Sequence, residues 1–300
     1  MIPAMPVTLT IFTPTYNRGY ILPVLYRSLQ AQSCQDFEWL IVDDGSTDHT
    51  EQLVQSWLAD IESSFPIRYY RQPNGGKHRA INYGVRLAVG ELFFIVDSDD
   101  NLFPDTVSTV LRWWQEVSDD QCYAGIAGLR SYPDGTPIGG TPCYGDPLDT
   151  DSLSFRTRYR QKGDKAEIFR TAILRDYPFP EFDGERFVTE ALVWNRIAQR
   201  YILRYYPCNI YRCDYLPDGL TRSIARHHST SPRGTALYYS ELSRWPQSDR
   251  MTRLKAIVNY WRYSFSNPAP LRSKCRQIGW LNIIFLPLGL IFRLRDKYHR

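Results

Sequence analysis

Short apolar runs alternate with amphipathic segments along the first third of the chain. The runs are rich in β-branched and aromatic residues, which predicts buried strands over residues 7–12, 37–42, 67–70 and 93–96. Apolar residues at helical spacing predict intervening helices over about residues 20–32, 48–61 and 78–89. Strands and helices that alternate with short connections are typical of a doubly wound, mainly parallel sheet.

Beyond residue 104 the alternation becomes less regular. Residues 131–165 are rich in Gly, Pro, Asp and Tyr, which predicts an irregular excursion. The other patterns predict a helix over 104–117, strands over 123–129 and 166–173, a helix over 189–200, a strand or hairpin over 201–212, and helices within 233–265. We therefore expect one domain over 1–213, with halves at about 7–117 and 118–213, and a helical extension over 214–300.

Three carboxylates end the predicted strand at residues 93–96. Asp97, Asp99 and Asp100 lie within four residues and repel one another unless a cation lies between them. Oxygen donors suit Mg²⁺ or Mn²⁺. One of these acids could simply cap the helix that Pro104 announces, but a cap does not account for three. The pattern predicts a divalent metal that holds a phosphate.

Three polar loops follow strand ends, at residues 13–18, 43–48 and 97–100, and they are expected to face one crevice. The first loop lacks the G-x-G-x-x-G turn of dinucleotide-binding domains, and the chain has no G-x-x-x-x-G-K-[ST] loop. A nucleoside diphosphate is the ligand that these loops fit.

Each part of such a nucleotide has a candidate partner. Asp43 can accept a hydrogen bond from the base, Tyr16 can stack on it, and Asp97 can hold the ribose. Asp43 suits uracil or guanine. The remaining candidates are Asp99 and Asp100 for the metal and Arg18, Lys77 and Arg79 for the diphosphate.

The chain resembles the family 2 glycosyltransferases of the GT-A fold, of the bacterial surface-polysaccharide type. Four motifs carry the resemblance, in the order of the family: Pro14-Thr15-Tyr16-Asn17-Arg18, Val42-Asp43-Asp44-Gly45-Ser46-Thr47-Asp48, Gly75-Gly76-Lys77 with Ala80-x-Asn82-x-Gly84, and Asp97-Ser98-Asp99-Asp100. The resemblance implies a nucleotide-sugar donor, with the D-x-D at 97–99 on ribose and metal. It also implies donor contacts from Pro14, Asp44, Asn82 and Ser98.

The second half of the predicted domain, residues 118–213, corresponds to the acceptor half of the family, and it departs from the family pattern at one position. Relatives carry a Glu-Asp pair at a helix start, and here Thr189 precedes Glu190, which stands where the family has its catalytic Asp. The resemblance implies that Glu190 is the base, and Glu185 is the competing candidate. A carboxylate in the first turn of a helix also has a purely structural use, because the helix dipole favours it.

Charge is unevenly distributed along the chain. Residues 1–200 hold 19 Lys or Arg and 27 Asp or Glu, whereas residues 201–300 hold 17 and 5. The six cysteines show no CxxC pair and the N-terminus shows no signal segment, which predicts a cytoplasmic protein with reduced thiols. A basic tail that includes an apolar run favours a membrane surface over nucleic acid as a partner.

That apolar run covers residues 278–292 and has cations on both sides. As a helix it would measure about 22 Å, short of the roughly 30 Å hydrocarbon core, so it is not expected to span a bilayer. We expect a shallow insertion with a kink at Pro287 and with Trp280 near the interface, giving peripheral membrane contact through 278–300. The alternative is a helix packed on the body of the protein or on a second subunit of a homodimer.

Together these features predict an inverting, metal-dependent glycosyltransferase at the inner face of the cell membrane. It would move a hexosyl or N-acetylhexosaminyl group from a UDP-sugar to a hydroxyl of a glycan or lipid-linked acceptor. Two alternatives remain open. A sugar nucleotidyltransferase shares the metal-bound nucleotide but is expected to carry a glycine-rich phosphate loop, and a non-catalytic carbohydrate-binding relative would need no base.

Overall fold

The computed structural model describes residues 7–60, 64–213 and 224–298. Within these ranges nine strands form one sheet: β1 (Leu9–Thr15), β2 (Phe37–Asp43), β3 (Ile67–Arg71), β4 (Leu92–Ile95), β5 (Asn101–Leu102), β6 (Tyr123–Ser131), β7 (Leu148–Thr150), β8 (Lys165–Arg170) and β9 (Ile202–Arg212). Seven helices accompany them: α1 (Leu22–Gln30), α2 (Thr50–Leu58), α3 (Lys77–Leu87), α4 (Thr106–Gln115), α5 (Ser152–Thr157), α6 (Thr171–Asp176) and α7 (Glu190–Ile197).

The strand order is β3-β2-β1-β4-β8-β6-β9-β5, with β7 on the side of β9. Strands β1 to β4 are mutually parallel, since β1 pairs in parallel with β2 and β4, and β2 with β3. Strand β8 runs antiparallel to β4 and to β6, whereas β6 and β9 are parallel. This mixed, mostly parallel α/β architecture confirms the predicted fold class.

The sheet separates two apolar clusters. One contains Leu9, Trp39 and Phe94 with the aromatic side chains of α4, and the other contains Phe12 and Phe93 with residues of α3 and α7. Alternate residues of β1 and β4 therefore enter opposite layers, and both strands are buried at every position. Polar side chains inside the sheet are paired there, since the Thr10 hydroxyl of β1 donates to Glu38 of β2 at 2.6 Å.

Two predictions between residues 131 and 173 were wrong in detail, and a third, for 201–212, had left two alternatives. The predicted strand 166–173 ends at Arg170, because β4 begins opposite it at Leu92, and the next residues form α6. The irregular excursion contains β7 and α5, whose N-terminus is capped by Asp151. The segment 201–212 is one strand and not a hairpin.

The C-terminal extension is helical, as predicted. It comprises α8 (Ile224–Thr230), α9 (Pro232–Leu242), α10 (Arg250–Ser264), α11 (Leu271–Ile278), a 3₁₀ helix (Trp280–Phe285) and α12 (Leu286–Tyr298). Pro287 lies in the first turn of α12, where proline is tolerated, so the predicted kink at Pro287 was wrong. The chain instead turns at Gly279, whose φ is 97°.

No single helix in the described part of the chain is long and apolar enough to cross a bilayer. Residues Leu271–Ile278 and Trp280–Asp296 meet that requirement only as a pair, and the pair is bent by 111°.

Candidate active site

Strands β1, β2 and β4 end side by side. Their parallel register aligns Thr15 with Asp43 and Phe12 with Ile95. The polar loops that follow the three strands therefore leave the sheet at one edge, which is where open α/β sheets bind ligands.

The loop after β1 is fastened to the loop after β2 by Asn17. Its side-chain Oδ1 accepts the backbone N–H of Thr47 at 2.7 Å, and its own N–H donates to the hydroxyl of Ser46 at 2.8 Å. Pro14 is buried within β1, whereas Tyr16 beside it is 47% exposed. The aromatic ring is thus open for stacking at the rim of the crevice.

Asp43 is fully buried at the end of β2. One carboxylate oxygen accepts the backbone N–H of Ser46 at 2.7 Å, and the other accepts the hydroxyl of Tyr69 at 2.7 Å. Burial, followed by the charge of Asp43, raises the pKa of Tyr69 far above its usual range, so Tyr69 remains a donor. These two bonds hold the carboxylate in a fixed orientation.

Asp44 lies beside Asp43 but faces the protein. Its two oxygens accept the backbone N–H groups of Gly75 at 2.8 Å and Gly76 at 2.7 Å. Gly76 has a φ of 95°, and a Cβ there would lie 2.0 Å from the carbonyl oxygen of Arg186. The glycine loop therefore lets α3 begin in contact with the segment that leads to α7.

The acid cluster after β4 contains Asp97, Asp99 and Asp100. The Lys77 Nζ lies 2.6 Å from Asp97 Oδ1. The Tyr211 hydroxyl donates to Asp100 at 2.7 Å and accepts the backbone N–H of Asp97 at 2.9 Å. Ser98 is buried. The cluster is thus braced by β9.

Two cations reach the cluster from other directions. An Nη2 of Arg18 lies 3.8 Å from Asp99 Oδ2, and an Nη1 of Arg130 lies 3.8 Å from Asp97 Oδ2. The Arg130 guanidinium lies 4.3 Å from the ring centroid of Tyr211. Stacking of this kind fixes the orientation of a guanidinium.

The three carboxylates differ in proton affinity. Burial raises the pKa of Asp97, but Lys77 and Arg130 outweigh it and hold that pKa below its usual range. Burial and the charge of Asp97 raise the pKa of Asp99, and the same two causes raise the pKa of Asp100 to about 7. At Asp99 and Asp100, therefore, burial and the repulsion between carboxylates exceed the attraction of the neighbouring cations.

A divalent cation bound at these carboxylates would offset the repulsion between them. The donors are oxygens, and Mg²⁺ commonly binds through one or two carboxylates completed by phosphates and water. Among the described residues no three His, Cys, Asp or Glu side chains form a complete metal site by themselves. A cation held by Asp99 and Asp100 would therefore take its remaining ligands from a bound diphosphate and water.

Glu190 is the first residue of α7, and its side chain is 30% exposed. Its Oε1 lies 2.8 Å from Lys77 Nζ, so one ammonium bridges Glu190 and Asp97. Burial lowers the pKa of Lys77, but the two carboxylates outweigh it and raise that pKa, which keeps the side chain charged. The acid cluster and the carboxylate of α7 are thereby joined across the crevice.

Glu185 has a different environment. Its side chain is only 5% exposed, and it accepts the backbone N–H groups of Arg233 at 2.8 Å and Gly234 at 2.9 Å. Both belong to the first turn of α9. Glu185 therefore satisfies the N-terminus of a helix in the C-terminal extension.

Asn82 also makes contacts within the protein. Its amide donates to the carbonyl of Phe179 and to the carboxylate of Glu181, both at 2.9 Å, and its oxygen accepts the N–H of Phe179 at 2.8 Å. Asn82 thus fastens α3 to the segment ahead of α7.

Residues 10–173 match the model of the family described as Glycosyl transferase family 2. The chain belongs to this family. The GT-A-like arrangement and the resemblance predicted from the four motifs are therefore confirmed.

Two relatives illustrate the breadth of the sequence match. A Campylobacter jejuni protein named GalNAc(5)-diNAcBac-PP-undecaprenol beta-1,3-glucosyltransferase is 34% identical over 226 residues, which cover 73% of this glycosyltransferase and 69% of the relative. A Mycobacterium bovis PGL/p-HBAD biosynthesis glycosyltransferase is 32% identical over 123 residues. That match covers 41% of this chain, which spans about half, 47%, of the mycobacterial protein.

Solved structures show the same fold at low identity. Staphylococcus aureus TarS 1–349 in complex with UDP-GlcNAc aligns with a TM-score of 0.65 and 17% identity, covering 96% of this chain and 89% of TarS. The Pyrobaculum calidifontis mannosyltransferase PcManGT, with GDP-Man and Mn²⁺, aligns with a TM-score of 0.57 and 16% identity, covering 98% and 89%.

The structure groups the predicted site residues of the glycosyltransferase into two sets. Six face the crevice or its rim: Tyr16, Arg18, Lys77, Asp97, Asp99 and Glu190. The other seven are buried: Pro14, Asp43, Asp44, Asn82, Ser98, Asp100 and Glu185. The sequence of residues 217–222 is typical either of a loop that closes over a donor or of a plain Asp-Gly turn, and this segment lies outside the described residues.

Sequence reasoning missed Arg130, Tyr211 and Glu167. Arg130 directly follows the predicted strand 123–129, so its place at the carboxyl edge was open to inference. No pattern signals the hydroxyl of Tyr211. Burial raises the pKa of Glu167 to about 7, and Glu190 adds to it. Glu167 thus supplies a further desolvated carboxylate beneath α7.

Proposed function

We propose that this glycosyltransferase moves a sugar from a UDP-sugar to an acceptor hydroxyl with inversion at the anomeric carbon. The observation that carries the proposal is the Lys77 bridge, 2.6 Å from Asp97 and 2.8 Å from Glu190. It supports a donor-side role for Asp97 and the role of base for Glu190, because one ammonium holds the two carboxylates next to each other. A donor sugar bound beside this bridge, with its diphosphate toward the acid cluster, would meet the acceptor on the opposite face.

In this proposal Glu190 removes the acceptor proton while the hydroxyl attacks. Glu190 is preferred over Glu185, because Glu185 is buried and already accepts two backbone N–H groups of α9. Asp43 orients the nucleobase of the donor, Tyr16 stacks on that nucleobase, and Arg18 contacts the diphosphate. Asp99 and Asp100, with Asp97, would hold Mn²⁺ or Mg²⁺, which when bound supplies positive charge against the leaving diphosphate.

The acceptor half offers room for a second substrate. An open cleft of about 740 Å³ is lined by Leu129, Pro137, Tyr144, Pro207 and Asn209 among others. Aromatic and aliphatic rings with a few polar groups suit a sugar. We assign the acceptor to this side of the crevice.

A lipid-linked acceptor is the class that we favour. The Campylobacter jejuni relative carries undecaprenol in its printed name. A substrate anchored in this way would require the enzyme to work at a membrane, in keeping with peripheral contact through 278–300 at the inner face of the cell membrane. Sugar transfer is favoured over nucleotidyl transfer, because the chain belongs to glycosyltransferase family 2.

A donor screen tests this function. UDP-glucose, UDP-GlcNAc and GDP-mannose are each added with Mn²⁺ or with EDTA, and thermal unfolding is followed. A donor at 100 times its Kd stabilises the fold by about 2.7 kcal/mol, which raises the Tm by roughly 5 °C or more. We expect the shift with a UDP-sugar and Mn²⁺.

Asp99→Asn should abolish the Mn²⁺-dependent part of that shift. Asp134→Asn is the matched control, because Asp134 is exposed in a turn and accepts only the N–H of Thr136. A Mn²⁺-dependent shift that survives in Asp99→Asn would refute the metal assignment. Failure of every nucleotide sugar to bind would refute the proposed donor class.

A further inference from the structure

The C-terminal helices pack firmly on one side. A Cβ at Gly289 would lie 2.4 Å from the Cβ of Trp261, so α12 contacts α10 at backbone distance. The Trp261 indole donates to the carbonyl of Asn282 at 2.7 Å, and Arg262 makes two 2.7 Å hydrogen bonds with Asp296. The inner face of this layer is therefore fixed to the protein.

The outer face carries an apolar stripe. Leu281, Ile284, Leu288 and Ile291 follow one another at intervals of three or four residues, which places them on one side of the 3₁₀ helix and α12. Their exposed fractions are 87%, 72%, 40% and 61%. Single exposed apolar residues are ordinary, but a contiguous stripe of this kind marks an interaction surface.

The charge of these helices is strongly positive. Residues 250–296 contain nine Lys or Arg and one acid, Asp296, which pairs with Arg262. Arg295 is exposed one turn after Ile291, and Arg272 and Arg276 are exposed in α11, the helix that precedes the stripe. A surface that is apolar in its centre and cationic at its margin matches a bilayer with anionic headgroups.

We propose that this stripe, residues Leu281, Ile284, Leu288 and Ile291, docks on an anionic lipid bilayer with α12 parallel to the membrane plane. The turn of 111° at Gly279 and the packing of α12 on α10 prevent Leu271–Asp296 from straightening across the bilayer. Packing on the protein and contact with lipid use opposite faces of the same helix. The proposal deepens, and rests on, the peripheral contact of the proposed function, and it involves no catalytic residue.

The test uses the full chain and side-chain variants. Deletion of α12 would uncover Trp261, whereas the stripe is already exposed and can be changed without opening the core. The stripe variant is Leu281→Gln, Ile284→Gln, Ile291→Gln, and the charge variant is Arg272→Gln, Arg276→Gln, Arg295→Gln. Leu58→Gln with Val89→Gln is the matched control, because these side chains are 40% and 61% exposed elsewhere.

Binding is measured by flotation with vesicles of phosphatidylcholine, with and without phosphatidylglycerol. We expect the natural chain and the control to float with the anionic vesicles, and both the stripe and the charge variant to bind roughly tenfold more weakly or worse. Retained thermal unfolding and donor binding would show that the variants are folded, and they separate this result from a failure of the catalytic proposal.

Three outcomes would overturn the proposal. The natural chain does not float, or the stripe variant floats as well as the natural chain, or the charge variant loses nothing. A dimer in light scattering that the stripe variant dissociates, without vesicle binding, would assign the stripe to a second copy.

Discussion

Replacing Glu190 by Gln is the most direct test of the mechanism. The amide keeps the shape of the side chain, and its oxygen can still accept a hydrogen bond from Lys77, 2.8 Å away in the natural chain. It cannot take up a proton at neutral pH. A positioned general base typically contributes 10²–10⁴ in rate, so kcat should fall by about that factor, or roughly 3–5 kcal/mol of transition-state stabilisation. Donor KM should change only about threefold.

The same substitution at Glu185 provides the matched comparison. Glu185→Gln removes the negative charge of a carboxylate whose oxygens accept the backbone N–H groups of Arg233 and Gly234. That carboxylate also lies 3.3 Å from the Arg233 Nε. Hydrogen bonds to a charged group contribute about 1.5–3 kcal/mol, so stability should fall by about that amount. The kcat per folded molecule should stay near that of the natural chain.

The assay is steady-state release of nucleoside diphosphate at varied donor concentration, together with urea unfolding of each variant. Donor affinity is measured separately by calorimetry. If Glu185→Gln is the variant with the large loss of kcat and full stability, the base has been assigned to the wrong carboxylate. Equal and small effects of both substitutions on kcat would mean that neither is the base.

Two predictions concern stability. Burial lowers the pKa of His228 from 6.5 to about 4, so the unfolded chain binds the proton more tightly. The free energy of unfolding should therefore fall by about 2 kcal/mol between pH 7.5 and 5. In urea titrations His228→Gln should lose that part of the pH dependence, and an unchanged dependence of the free energy of unfolding on pH would contradict this. Gly84→Ala would place a Cβ 2.2 Å from the ring of Phe12, so the free energy of unfolding should fall by about 1–3 kcal/mol. Gly145→Ala is the control, because a Cβ there meets nothing within 4 Å, and it should change the free energy of unfolding by less than about 0.5 kcal/mol. Equal losses in the two variants would contradict the close packing at Gly84.

The sequence predicted the parts of the fold that local patterns determine. Apolar runs located β1, β2 and β4, because most residues buried between two helical layers are apolar. Buried exceptions such as Thr10 and Glu38 are hydrogen-bonded to each other. The motifs at their ends located the crevice. Long-range pairing was not accessible in this way: β6 and β9 pair across about 80 residues of sequence with three register shifts, which no local period encodes.

The sequence predicted which residue types lie near the site, but it did not predict which way their side chains point. Asp44, Asn82 and Glu185 carry groups that suit a ligand, and each instead binds the backbone of a neighbouring loop or helix. Sequence patterns identify a polar side chain near a strand or helix end. They do not tell whether it points into the crevice or away from it, since that depends on the packing of segments distant in the chain.

The bonds between Glu185 and α9 affect how this protein can be recombined with its relatives. The acceptor segment and the extension are joined there and again where Arg196 meets Glu241 at 2.7 Å. A chimera with its junction near residue 213 would separate these partners and leave a buried carboxylate facing a foreign helix. We expect exchanges of acceptor specificity to succeed only when residues 179–242 are transplanted as one cassette.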